Sequence, residues 1–204
     1  GKGRVIGITG TNGKTTTTTL VGEIMSACYA DVDVVGNIGN PYTLTALDAT
    51  QETVTVAEIS SFQLETVEQF KPDVSAILNI TPDHLNRHHT MENYAAAKEA
   101  VTRNQTKEQV CVLNYENAYT REIGARCPAR VVWFSSKRKL AEGFYQEGEE
   151  IWQAKDGVAT RLMNIHDMKL VGTCNVENVM AAIAIAQALL VPMETILSVV
   201  RQFR

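Results

Sequence analysis

Residues 8–16 read Ile-Thr-Gly-Thr-Asn-Gly-Lys-Thr-Thr and follow the short apolar run from Arg4 to Ile8. An apolar strand, a glycine-rich turn and a helix opening on Gly-Lys-Thr form the context of a phosphate-binding loop, and that context commits the chain to an α/β architecture. The spacing departs from G-x-x-x-x-G-K-[ST]. The place five before Gly13 is Ile8, Gly10 lies nearer, and Gly7 lies one residue too far out. Phosphate binding survives the change in principle, because it depends on successive backbone N–H groups pointing inward at a helix start. Gly10 and Gly13 permit close backbone approach, Lys14 offers a point charge, and Thr15 offers a hydroxyl suited to Mg²⁺. The competing reading is a tight strand-to-helix turn with a solvated Lys14.

The rest of the chain supports a mostly parallel sheet flanked by helices. Thr53 to Glu58, Val74 to Ile80, Val110 to Leu113 and Arg130 to Phe134 are apolar or β-branched runs expected as strands. Helical spacing falls between them, at Lys14 to about Ala27, Met91 to Val101 and, more weakly, Tyr115 to Ala125. The threonines from 15 to 19 are poor helix formers, tolerable if that helix is packed and its first turn binds phosphate. From Gly143 to about Val171 the texture changes to short segments such as FYQEG, IWQAK and ATRLM, expected as a small antiparallel sheet. Helices return at Val176 to Leu190 and from Met193 onward.

Composition narrows the function classes. A net charge of -4 over 204 residues gives no basis for a nucleic-acid or anionic-membrane partner. No apolar run reaches the roughly 18 residues of a membrane span. Cys28, Cys111, Cys127 and Cys174 are widely spaced, without a CxxC pair, and read as reduced thiols rather than a disulfide frame or a zinc site. The chain opens on Gly-Lys-Gly just before a strand and stops inside an apolar-periodic segment, so an excised domain spanning 1–204 is expected. Lys137-Arg138-Lys139 reads as a solvated loop.

Ligands of open α/β sheets bind beyond the carboxyl ends of the strands. The phosphate loop is at one such end, Glu58 closes a second strand, and Thr81-Pro82-Asp83-His84 follows a third. A carboxylate and an imidazole should therefore converge on the phosphate position. Taken singly, Glu58 reads equally as a helix-capping acid and His84 as a satisfied turn histidine; His88, His89 and His166 receive no role. Lys98 is out of place. It shares the stripe Met91, Tyr94, Ala95, Lys98, Val101 and occupies a position where an apolar residue belongs. Such a lysine can snorkel, pair with an acid, or lose its proton; the sequence favours the first two.

Taken together and in order, ITGTNGKTT, GNIGNP, EISSFQLE, LNITPDHLNRH and YAAAK resemble the Mur ligases of peptidoglycan synthesis along essentially the whole chain. That family uses a GTNGKT loop in place of the longer consensus. The SSFQLE and NITPDH forms are most similar to the branch that adds D-glutamate to UDP-N-acetylmuramoyl-L-alanine. The resemblance implies a central ATP-binding domain, its N-terminal uridine-nucleotide domain and C-terminal domain lying outside this chain, in a cytoplasmic, monomeric enzyme. It implies that ATP phosphorylates the alanine carboxylate and that the amine of D-glutamate attacks the acyl phosphate. It places ATP on Gly10, Thr11, Asn12, Gly13, Lys14, Thr15 and Thr16, with Asn175 and Asn178 near the adenine. Thr15 and Glu58 match positions serving one Mg²⁺, His84 a ligand of a second, and Lys98 a lysine that the family carbamylates in support of a metal. Lys14, Glu58, His84 and Lys98 are thus the catalytic set. Asn37, Ser60 and Gln63, with His84, match positions near the muramoyl substrate. One departure stands out: where the family commonly has Gly-x-His-Asn-x-x-Asn, this chain has Cys174 in the histidine position.

Other readings remain open at this level. Another Mur ligase, or a folylpolyglutamate synthase-like ligase, shares the fold and the amino-acid-adding logic, although SSFQLE argues against the latter. A non-catalytic ATP-binding module fits the isolated chain, which on this reading does not catalyse by itself. A phosphate-loop kinase lacks an evident acceptor site and lid.

Overall fold

The computed structural model describes residues 3–36 and 46–204. Among these, one nine-stranded sheet runs in the order β2-β3-β1-β4-β5-β6-β7-β8-β9. The strands are β1 (Arg4–Thr9), β2 (Val32–Gly36), β3 (Val54–Glu58), β4 (Val74–Ile77), β5 (Val110–Asn114), β6 (Arg130–Ser135), β7 (Gly143–Glu147), β8 (Glu150–Lys155) and β9 (Val158–Asn164). Pairings from β2 through β7 are parallel, and those of β7 with β8 and β8 with β9 are antiparallel. The antiparallel strands are therefore not a separate small sheet. The short parallel pairing of Phe134 and Ser135 with Phe144 and Tyr145 joins them to the main one.

The helices are α1 (Lys14–Ser26), α2 (Ser61–Glu65), α3 (Leu85–His88), α4 (Met91–Glu99), α5 (Ala118–Arg126), α6 (Thr173–Ala188) and α7 (Met193–Gln202). Alternation along the buried strands sends Ile6, Ile8, Val54, Val56, Val110 and Val112 to one face, where α1, α6 and α7 cover them. Ala57, Ile77, Cys111 and Leu113 face the other way, toward Leu64 of α2, Tyr94 and Ala95 of α4, and Ile123 of α5. Both faces being covered explains the near-continuous apolar runs of the central strands. All four cysteines are free thiols: Cys111 and Cys127 are buried, and Cys28 and Cys174 exposed. Arg138 of the basic tripeptide is not merely solvated, since it pairs with Glu116 at 2.8 Å.

Two local departures from expectation shape the site. β4 ends at Ile77, earlier than the apolar run suggests, because Leu78 to Ile80 leave the ladder to brace the glycine-rich loop. The helix expected from Tyr115 starts at Ala118, where the Asn117 side chain accepts from the Thr120 amide and caps it.

The order β3-β1-β4 puts a later strand on each side of β1, with connections leaving in opposite directions. The carboxyl ends of these three strands open onto one crevice, as open parallel sheets do at such a reversal.

Candidate active site

The glycine-rich loop leaves β1 at Thr9 and enters α1 at Lys14. Gly13 caps the helix in the left-handed region at φ 85° and supplies no side-chain hydrogen bond to the first turn. A Cβ at Gly13 would overlap Asn178 Oδ1, so the close approach of α6 requires glycine there. The first turn of α1 contains no acidic residue. Its exposed amides and the positive end of its dipole remain for an anion.

The segment after β4 holds the loop in place. Asn12 N donates to Asn79 Oδ1 at 2.8 Å, and Asn79 Nδ2 donates back to Asn12 O at 3.0 Å. The Thr11 amide donates to Asn79 O, and the Thr81 amide to Thr11 Oγ1, both at 3.0 Å. From the opposite side Asn114 Nδ2 reaches Leu78 O at 3.1 Å and Asn117 Nδ2 reaches Ile80 O at 2.9 Å. These asparagines carry no signal in the sequence beyond a polar residue at a strand exit. Their role depends on which strands become neighbours.

Glu58 is 3% exposed and lies level with Ile8 in the β1–β3 register. Thr15 Oγ1 donates to Glu58 Oε2 at 3.3 Å. The carboxylate thus sits beside the first turn of α1, and it does not cap α2. Ser60 does that, accepting from Gln63 N, while Gln63 Oε1 accepts from the Ser60 amide at 2.9 Å in a capping box.

Lys98 is 1% exposed. Its ammonium donates to Gly10 O at 3.0 Å and Thr9 Oγ1 at 3.4 Å, and lies 4.8 Å from the centre of the Tyr94 ring. Neither snorkelling nor an acid partner accounts for it; among the described residues no carboxylate stands within ion-pair distance. Burial, and after it the Lys14 ammonium, pull the Lys98 pKa from 10.5 to about 7, against the opposing pull of Asp83. Tyr94 OH in turn lies 3.2 Å from Thr11 Oγ1, and burial raises its pKa. Lys14 folds over the loop, donating to Gly10 O at 2.8 Å and Thr11 O at 3.3 Å.

Lys14, Ser60, Ser61, Phe62, Asp83, His84, Tyr94 and Lys98 line one cavity of about 230 Å³. His84 is half exposed, in the left-handed region at φ 52°, with Nε2 at 3.4 Å from Asp83 Oδ2. The structure therefore brings together Lys14, His84, Lys98 and Ser60, with the Thr15–Glu58 pair adjoining through the loop. Gln63 lines a second cavity of about 450 Å³ that Glu58 also borders. Asn178 abuts Gly13, and its Nδ2 donates to Asn175 Oδ1 at 3.3 Å, so both remain beside the loop. Cys174 is exposed at the start of α6. Asn37 lies outside the described residues.

The donor set fits a magnesium–phosphate group. A buried carboxylate beside a threonine hydroxyl and an uncapped helix start match the hard oxygen ligands that Mg²⁺ takes from protein and phosphates together. Among the described residues no three His, Cys, Asp or Glu side chains gather into an all-protein cage.

The Mur ligase middle domain signature matches residues 8–186. The chain is 55% identical over 203 residues to UDP-N-acetylmuramoylalanine--D-glutamate ligase of Lachnoclostridium phytofermentans, covering 100% of this chain and 45% of that protein. It is 50% identical over 199 residues to the ligase of the same name from Clostridioides difficile, covering 98% and 44%. The chain thus spans somewhat under half the length of the curated relatives it matches. A solved UDP-N-acetylmuramoyl-L-alanyl-D-glutamate--2,6-diaminopimelate ligase superposes with a TM-score of 0.77 at 22% identity, over 100% of this chain and 47% of that one, a likeness of fold. Among the described residues no helix is long and apolar enough to cross a membrane.

Proposed function

Because the chain belongs to the Mur ligase family, as its middle domain, we propose that it is the ATP-binding centre of a ligase that joins D-glutamate to UDP-N-acetylmuramoyl-L-alanine in the cytoplasm. The observation that carries this reading is the single cavity in which Lys14, His84, Lys98 and Ser60 meet beside the glycine-rich loop. Identity near 50% to two D-glutamate ligases supports the choice of branch.

In this reading the amides of the first turn of α1 and the Lys14 ammonium hold the outer phosphates of ATP. Lys14 exchanges its contacts with the loop carbonyls for phosphate oxygens. Thr15 and Glu58 hold one Mg²⁺, and His84, with a carbamylated Lys98 in support, serves a second. The metals supply charge neutralisation along the in-line transfer. An oxygen of the alanine carboxylate attacks the γ-phosphorus and ADP departs. The D-glutamate amine then attacks the acyl carbon, phosphate leaves, and the amide remains. Asn37 and Ser60, with Gln63 at the neighbouring cavity, orient the muramoyl substrate. Asn175 and Asn178 flank the nucleotide. Carbamylation needs a neutral amine, which burial of Lys98 provides near neutral pH.

The remote uridine group and part of the amino-acid site would lie in domains beyond this chain, so their binding energy is absent from it. The test is an assay of the intact ligase that carries this chain, and of the chain alone, with the uridine-muramoyl acceptor and with a pteroyl acceptor. Phosphate release dependent on D-glutamate and the muramoyl acceptor, in the intact enzyme only, is expected. Activity on the pteroyl acceptor alone would move the assignment to the folylpolyglutamate branch. Turnover by the chain alone at the intact rate would overturn the assignment as a single domain of a larger catalyst.

A further inference from the structure

His88 lies outside the set assigned above, yet it is 4% exposed and fully engaged. Its Nε2 stands 3.1 Å from Ser61 Oγ, and its Nδ1 stands 3.2 Å from Glu65 Oε1. Its ring stacks on Phe62 at 5.4 Å and 7°, and tilts over Tyr94 at 5.2 Å. The carboxylate of Glu65 can only accept, so Nδ1 carries hydrogen, while Nε2 and the Ser61 hydroxyl share a hydrogen bond. The sequence Glu, His, Ser is the order found behind serine nucleophiles. Here the serine is 3% exposed and belongs to the first turn of α2. The chain of contacts acts as a clamp between two elements.

What the clamp joins matters. α3 is a four-residue helix with a non-glycine residue in a positive-φ conformation at each end, His84 at 52° and His89 at 68°. Such conformations persist where the surroundings enforce them. Three further contacts reinforce the joint: Asn93 Nδ2 donates to His88 O at 3.0 Å, Arg87 pairs with Glu65 at 3.2 Å, and Phe62 meets the His84 ring edge at 5.1 Å. Ser60, Ser61, Phe62 and His84 all line the cavity beside the loop.

We propose that His88 is a positioning residue: backed by Glu65, it locks the α2 start to the α3 turn and so sets the orientation of His84 and Ser60 toward the cavity. The inference rests on the reading of that cavity as the phosphoryl-transfer site, but its structural half can be tested without nucleotide.

The experiment compares the parent with His88→Phe, which keeps the stacked ring and removes both polar contacts, His88→Gln, which keeps one, and Glu65→Gln. In the chain without nucleotide, exchange of the Arg87, His88 and His89 amides, bonded to His84 O and Leu85 O, should quicken by about tenfold or more in His88→Phe. Protection of the central strands should stay unchanged. In the intact ligase kcat should fall about 10- to 100-fold with KM for ATP within about twofold, as expected when reacting groups are misplaced but still bound. His88→Gln should recover part of both. Unchanged local exchange in His88→Phe and Glu65→Gln, or a loss of protection spread evenly over the domain, would overturn the proposal. Failure of the parent to bind magnesium nucleotide would instead sink the functional reading and leave the exchange result to decide the clamp.

Discussion

The Thr15 hydroxyl donates to the Glu58 carboxylate across 3.3 Å, tying the first turn of α1 to the end of the adjacent parallel strand. Nothing local requires this pairing, since the residues are 43 positions apart. It arises because β3 lies next to β1 with Ile8 level with Glu58. If the pair holds magnesium, Glu58→Ala in the intact ligase should lower turnover by about 10²–10³-fold, as when an electrostatic stabiliser is removed. Turnover close to the parent's at saturating Mg²⁺ would show that the carboxylate serves only the hydroxyl.

Lys98 gives a pH signature. With its folded pKa near 7 and its unfolded value at 10.5, the unfolded chain binds a proton across that window that the folded chain does not. The stability of the parent should therefore rise with pH between these values, while below about pH 7 both states are protonated and the full burial cost persists. Lys98→Met lacks this dependence. In denaturant titrations in CO₂-free buffer, its stability relative to the parent should decline as pH rises from 6 to 9, by at most about 1.4 kcal/mol per unit. A difference independent of pH would place the lysine pKa elsewhere. In the intact enzyme Lys98→Ala should be nearly inactive and partly restored by added short-chain carboxylates; absence of rescue would count against a carbamate.

Gly13→Ala should destabilise the domain by about 1–3 kcal/mol, combining left-handed backbone strain with steric overlap. The overlap is with Asn178 Oδ1. Asn178→Ala relieves that overlap but not the strain, so a double-mutant cycle in urea should show the two changes to be less costly together than summed. Strict additivity would mean that the loop and α6 do not meet as described.

Thr17 and Thr18 are fully buried in α1, and their hydroxyls have no hydrogen-bond partner among the described residues. Thr18→Val keeps the shape and removes an unsatisfied polar atom, which should raise unfolding stability by about 1 kcal/mol. A loss of stability would reveal a partner for the hydroxyl.

Much of the fold is legible because β1 and β5, buried on both faces, read as apolar runs, and β3 reads as an alternating, β-branched strand. β2 is not, because VDVVG is interrupted by Asp33 and is only half-buried at the sheet edge. The end of β4 is misread because Leu78 and Ile80 stay apolar and buried after leaving the ladder. FYQEG and its neighbours announce antiparallel strands, but the two-residue pairing that fuses them to β6 depends on tertiary placement. At the site, periodicity turns Lys98 inward without disclosing that its partners are a loop carbonyl and a threonine. The asparagine brace and the Glu65–His88–Ser61 chain are invisible for the same reason: their members are ordinary polar residues until three strand ends are brought together.

The central claim is that the loop from Gly10 to Thr16 binds magnesium nucleotide through Lys14 and the α1 start. Calorimetry of the chain with a non-hydrolysable ATP analogue, with and without Mg²⁺ and beside Lys14→Ala, tests it most directly. Binding that requires Mg²⁺ and weakens about tenfold or more in the variant is expected, the loss of a charge-assisted contact being worth roughly 1.5–3 kcal/mol. No binding by the parent, or equal binding by parent and variant, would contradict it.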